Sequence, residues 1–106
     1  MPIIGIVFII MERIAVDAYV VDILMPDLVG HDRSPATFVV YLFLLRLAVK
    51  GRRDSANVSL QTIATKTGLA KSTVQQALRH LRRRKLLDPE VGATRRRILR
   101  PWAKGG

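Results

Sequence analysis

Residues 59–87, SLQTIATKTGLAKSTVQQALRHLRRRKLL, constrain the fold of this chain more than any other stretch. Two helical patterns abut across a single glycine. Leu60, Ile63 and Ala64 share the inner face of a short helix ending near Thr67, and Ser59 stands where a hydroxyl can cap it. Val74, Ala77, Leu78 and Leu81 recur at i, i+3, i+4 and i+7 on a second helix from about Lys71, which buries one stripe. Gly68 takes the turn because a positive φ costs glycine little, and Leu69 follows it into the core. Ala64 is small enough for the two helices to cross closely beside that turn. Two helices, a short turn and a small residue next to it make a helix-turn-helix.

The flanking segments add a wing and a third helix. Leu86-Leu87 begins an extended piece, Asp88–Ala93 holds Pro89 and Gly92 and reads as a turn, and Thr94–Arg100 returns as a strand until Pro101 stops the pairing. Upstream, Ser34 and Pro35 start a helix that runs to about Val49 or Lys50, with Gly51 available for a left-handed end. That helix is apolar on most sides, so either the N-terminal segment or a second subunit has to cover it. Arg13–Met25 has helical spacing at Val16, Tyr19, Val20, Ile23 and Leu24; Pro26 should end it, leaving Pro26–Arg33 as a loop. Gly51–Ala56 is a polar connector, and Val58 is expected in a short strand. Met1–Ile10 is uncharged and β-branched, which suits a strand or marks a start-site ambiguity with Met11. The expected fold is mainly α with a small β-hairpin wing: a winged helix-turn-helix with an extra N-terminal helix. Residues 1–33 form an extension suited to dimerisation, 34–101 the winged domain and 102–106 a tail.

Charge selects the partner class. The net charge is +10, and it is unevenly placed: residues 1–45 carry −3, and residues 46–106 carry +13. So basic a half attracts a polyanion, with counterion release from nucleic acid driving association. Cysteine is absent, which excludes disulfides and thiolate metal sites, and His31 and His80 lie far apart, so neither metal nor cofactor is expected. No nucleophile, base and orienting acid can be assembled, which argues against an enzyme. The longest apolar runs, Ile3–Met11 and Phe38–Leu45, fall short of the ~20 residues of a membrane span, and no signal peptide is evident. A cytoplasmic protein follows by default.

The stretch Leu60–Leu87 resembles the helix-turn-helix of bacterial winged-helix regulators of the GntR and MarR groups. The resemblance rests on the Ala64, Gly68, Val74 spacing and on the run Lys71-Ser72-Thr73-Val74 followed by Ala77-Leu78-Arg79. It extends over roughly residues 34–101 and implies a regulator of transcription that binds double-stranded DNA; the over-apolar helix from Ser34 and the apolar N-terminus add the expectation of a homodimer. One departure is visible: those families place Ser or Thr before the recognition helix, where this chain has Ala70.

Roles can be assigned along the second helix, whose N-terminal turns enter the major groove in such proteins. Gln75, Gln76 and Arg79 suit base edges, because Gln pairs bidentately with adenine and Arg with guanine. Lys71, Ser72 and Thr73 suit phosphate, and the resemblance gives Gln61 a phosphate contact. On the wing Arg95, Arg96 and Arg97 alternate, so at most one face can meet DNA, Arg96 sharing a face with Ile98 and Arg95 with Arg97. Solvated surface positions are the plain alternative for all ten residues. Arg82–Lys85 lies beyond the reading end, and His80 is expected in solvent. Two other functions fit the sequence: the winged-helix module of a replication initiator, and a protein-interaction module within a larger complex. RNA is disfavoured by the lack of exposed aromatics for stacking.

Overall fold

The computed structural model describes residues 12–89 and 94–103. The strand expected at Met1–Ile10 and most of the wing turn, residues 90–93, lie outside the described residues. The elements are an N-terminal wide-turn helix α1 (Val20–Leu24 and Pro26–His31), α2 (Pro35–Lys50), β1 (Ser55–Asn57), α3 (Leu60–Thr67), α4 (Lys71–Arg83) and β2 (Arg95–Arg97). This is a winged helix-turn-helix.

Pro26 does not end the first helix. The backbone on either side is wound as π-helix, with the Met25 amide donating to the Val20 carbonyl and the Asp32 amide to Asp27. A proline breaks an α-helix by colliding with the carbonyl four residues back. Widening the turn moves that carbonyl aside, so helix continues through the segment expected to be a loop. The gain is apolar contact: Val20, Leu24 and Leu28 are all buried.

α2 is the central helix. Val40, Tyr41, Leu44, Leu45 and Ala48 are buried in a core shared with Ile63, Val74, Leu78 and Leu81. α1 also packs on α2, so the N-terminal segment supplies cover that this apolar helix demands. Pro35 sits at the first helical position as expected, but Ser34 caps differently. Its hydroxyl hydrogen-bonds the hydroxyl of fully buried Thr37, while the Thr37 amide donates to the Ser34 carbonyl at 3.1 Å. At the far end Gly51 keeps a right-handed φ of −83°, and Arg52 takes the left-handed position at φ 55°. The Arg53 amide reaches the Ala48 carbonyl at 2.9 Å and the Arg52 amide the Val49 carbonyl at 3.0 Å, a Schellman ending one residue later than the glycine suggested.

The sheet also differs from the expected simple hairpin. β2 pairs antiparallel with β1, in the register Ser55–Arg97, Ala56–Arg96 and Asn57–Arg95. The stretch after α4 contributes one bridge, Leu87 to Ile98, flanked by the Asp88 amide donating to the Arg97 carbonyl and the Leu99 amide to Leu86. Pro89 has no amide to extend that edge, so the return strand draws most of its partners from β1. Val58 lies just past β1, its amide donating to the Thr94 carbonyl at 2.9 Å. Trp102, assigned to a tail by sequence, belongs to the packed body: it stacks on Tyr19 with ring centroids 4.6 Å apart and donates from Nε1 to Asp17 at 2.9 Å. Among the described residues no helix is long and apolar enough to cross a membrane.

Candidate nucleic-acid interface

The turn between α3 and α4 sets how α4 is presented. Ser59 caps α3, its hydroxyl oxygen accepting from the Thr62 amide at 3.1 Å. Gly68 closes the helix at φ 78°, its amide donating to Ala64 at 2.9 Å. Thr67, which sequence reasoning passed over, ties the corner. Its hydroxyl donates to the Ile63 carbonyl at 2.6 Å and accepts from the Leu69 amide at 3.3 Å. Ile63, Ala64, Val74 and Ala77 are buried across the crossing, so α4 is fixed by its apolar stripe.

The opposite side of α4 faces outward. Lys71, Ser72, Gln75, Gln76 and Arg79 are exposed and Thr73 is half-buried. None of Lys71, Gln75, Gln76 and Arg79 has a hydrogen-bond or ion-pair partner among the described residues. Arg79 is the crest of the helix: it lines a recess on either flank, one with Gln75, Arg82 and the start of α3, the other with Gln76, Arg83 and the start of α2. α4 begins at Ala70 without a side-chain cap, and the first intrahelical amide bond at this end is Val74 to Ala70. The preceding amides therefore remain open to an anion at the end of the helix that carries partial positive charge. Gln61, exposed at the start of α3, donates from its carboxamide to Thr65 at 3.1 Å.

The wing arginines separate by face. Arg96 points inward with Ile98; it is 4% exposed and donates from Nε to the Val58 carbonyl at 3.3 Å. Little of it is left exposed, because the pleat turns alternate side chains to opposite faces and Ile98 commits this one to the core, although it still borders the recess lined by Gln75, Arg79 and Arg82. Arg95 and Arg97 are exposed. Arg97 lies between Asp54 at 3.2 Å and Asp88 at 3.3 Å, the bond to Asp54 foremost in raising its pKa. Its charge is locally offset, while Arg95 has no partner among the described residues.

His80 is not simply solvated. Its Nε2 lies 2.7 Å from Asp32 Oδ2, and the Arg83 guanidinium approaches its Nδ1 at 3.1 Å. Asp32 also holds His31 at 2.8 Å. Arg84 bonds Asp27 and has its Nε 2.9 Å from Asp32, near enough to pair by charge though outside hydrogen-bond alignment. The His31 hydrogen bond foremost, aided by His80 and the charge of Arg84, holds the Asp32 carboxyl below the usual range against the upward push of burial. Asp27, His31 and Asp32 bring ligand-type atoms within 4.8 Å of one another, but Arg84 and His80 engage these same carboxylates, so the cluster is an ion-pair knot that locks α1 to α4. No sequence signal announced it, since Asp32 and His80 are 48 residues apart.

A family model described as a helix-turn-helix domain matches residues 34–87, from the start of α2 to the bridge at Leu87. The chain belongs to that helix-turn-helix family. The match covers α2, β1, α3 and α4, the elements that present the outward face just described. No curated protein and no solved structure matches the chain. Membership in the helix-turn-helix family points to DNA as the partner and is typical of binding proteins rather than enzymes.

Proposed function

We propose that this helix-turn-helix protein binds double-stranded DNA in a sequence-specific manner and regulates transcription in a bacterial cytoplasm, in the manner of GntR- and MarR-like winged helices. The observation that carries this reading is the outward, unpartnered row Gln75, Gln76 and Arg79 on a helix held rigidly by its buried stripe. Gln75, Gln76 and Arg79 read base edges; Lys71, Ser72, Thr73 and Gln61 hold phosphate; Arg95, with Arg97 beside it, contacts the flanking backbone or minor groove. Arg96 serves the core.

A homodimer completes the reading. The cover that α1 provides to α2 removes one reason for a second subunit, yet Val21, Ile23 and Val29 on α1 remain part-exposed apolar side chains. Exposed apolar surface of this kind is available to an interaction partner. Two-fold related copies joined there would read half-sites about one helical turn apart.

The test is selection of bound sequences from random duplex DNA at two salt concentrations. A consensus is expected, two-fold symmetric for a dimer, with affinity falling steeply as salt rises. Recovery of no consensus, or binding indifferent to salt, refutes the proposal.

A further inference from the structure

We infer that the recess between the start of α2 and the recognition helix α4 seats a backbone phosphate of the DNA strand opposite the one met by α3. The inference rests on the reading of this chain as a duplex-binding protein and adds a second anchor to it.

Three observations carry it. The recess, of about 410 Å³, is lined by Arg33, Arg79 and Arg83 together with Ser34, Thr73 and Gln76, and no carboxylate lines it. Three arginines lining one hollow with no carboxylate among them give it a positive field that favours an anion. Two acids of this corner are engaged in other bonds: Asp32 holds Arg84 and His80, the latter itself part of the lining, and Asp27 holds Arg84.

Second, Arg83 is aimed by a relay. With the Arg83 guanidinium donating to His80 Nδ1, the ring proton sits on Nε2 and is donated to Asp32. This assignment of the proton follows from the pairing. The relay fixes Arg83 at the rim of the recess while leaving its other N–H groups open, a planar fork suited to phosphate oxygens. His80 and Asp32 are then positioning residues.

Third, the two flanks of α4 are matched to the geometry of a groove. The major groove is about 12 Å wide and is bounded by two phosphate strands. A helix lying in it turns one flank to each strand. On one side of Arg79 lie Gln75, Arg82 and the start of α3; on the other lie Gln76, Arg83 and Arg33. The first flank agrees with the assignment of phosphate contact to Gln61. The second gives the other strand a partner that no motif in the sequence specified.

The variants Arg33→Gln and Arg83→Gln remove one charge each from exposed side chains, and Arg33→Lys and Arg83→Lys keep it. Binding is measured against salt on a selected duplex and on an unrelated one. Each Gln variant should reduce the slope of log affinity against log salt by about 0.9, which at 0.15 M salt corresponds to a loss of roughly fivefold. The loss should be equal on both duplexes, because a phosphate contact carries no sequence information. The Lys variants should keep the slope. If both Gln variants, folded by circular dichroism, bind with wild-type slope while Arg79→Ala weakens the selected duplex, the recess holds no phosphate and the duplex reading survives. A loss confined to the selected duplex would assign these arginines to bases and overturn the phosphate seat. Failure of the wild-type protein to bind any duplex overturns both.

Discussion

Replacing Gly68 with alanine isolates the backbone cost of the turn that aims α4. Gly68 has φ 78°, and a Cβ built on it would meet no atom within 4 Å. Steric clash therefore contributes nothing, and the whole effect comes from holding an L-residue in the left-handed region, about 1–2 kcal/mol. Alanine also restricts the unfolded chain, which returns about 0.4–1 kcal/mol. The net loss should be about 1 kcal/mol, a fall in Tm of roughly 4–8 °C for a domain of this size. The far end of α4 provides the mirror experiment. Lys85 has φ 58° in a Schellman ending, where the Leu86 amide reaches the Leu81 carbonyl at 2.9 Å. Lys85→Gly should therefore be neutral to stabilising, by up to about 1 kcal/mol. Residues 68 and 85 are separated by the length of α4, about 20 Å at 1.5 Å per residue, so the double variant should add and return near wild type. Urea unfolding followed by circular dichroism measures all three. A stabilising Gly68→Ala, a loss above about 3 kcal/mol, or single effects that fail to add in the double variant would each refute this account of the turn.

The other expectations are smaller. Ala70→Ser supplies the missing cap of α4, which has no side-chain bond to its first amides; a gain of about 1 kcal/mol in urea unfolding is expected, and no gain would mean these amides are already satisfied. Burial raises the pKa of Tyr41, whose hydroxyl donates to the Leu99 carbonyl at 3.2 Å, so the folded state keeps a proton that the unfolded chain loses near pH 10. Stability should thus fall as pH rises above about 10, and Tyr41→Phe should flatten that limb while costing about 1 kcal/mol at pH 7. For Asp32 the sign reverses: its lowered pKa contributes stability above the unfolded value, near 4, that is lost as pH falls through the folded one. Asp32→Asn should narrow the difference in urea midpoint between pH 7 and pH 3, and an unchanged difference would exclude Asp32 from the acid response.

The helix-turn-helix was legible because local rules sufficed for it. One glycine, one capping serine and a stripe at i, i+3, i+4 and i+7 determine α3, the turn and α4 without reference to distant residues. The failures share a different cause. Pro26 and Gly51 have local meanings that tertiary packing overrides: burial of Leu28 favours a widened helix, and the last turn of α2 closes on Arg52. The choice between the two faces of the wing strand was undecidable locally, because Arg96 alternates with Arg95 and Arg97 in a run of identical residues. Pairing with Ala56 and the packing of Ile98 decide it. Likewise His80 depends on a carboxylate 48 residues away, which no spacing rule reaches.

The opposed charges of the two halves also resolve in the fold. An acidic N-terminal half attached to a DNA-binding domain should weaken its attraction for a polyanion. Four of its five acids are instead consumed locally: Glu12 pairs with Arg46, Asp17 with Arg100, Asp27 with Arg84, and Asp32 with Arg84 and His80. The arginines they offset lie on α2, beyond the last turn of α4 and at the chain's end, away from the first turns of α4. Lys71 and Arg79 on α4, Arg33 at the recess and Arg95 on the wing have no carboxylate partner among the described residues, as is also true of Arg52, Arg53 and Lys66 on loops and helix ends. At physiological salt, fields fade over about 8 Å, so a compensated pair contributes little at a distance while an uncompensated arginine still acts on a phosphate brought beside it. The N-terminal segment therefore does two things at once: it packs on the apolar α2, and it offsets Arg84 at the end of α4 while its Asp32, through His80, helps to place Arg83 at the recess.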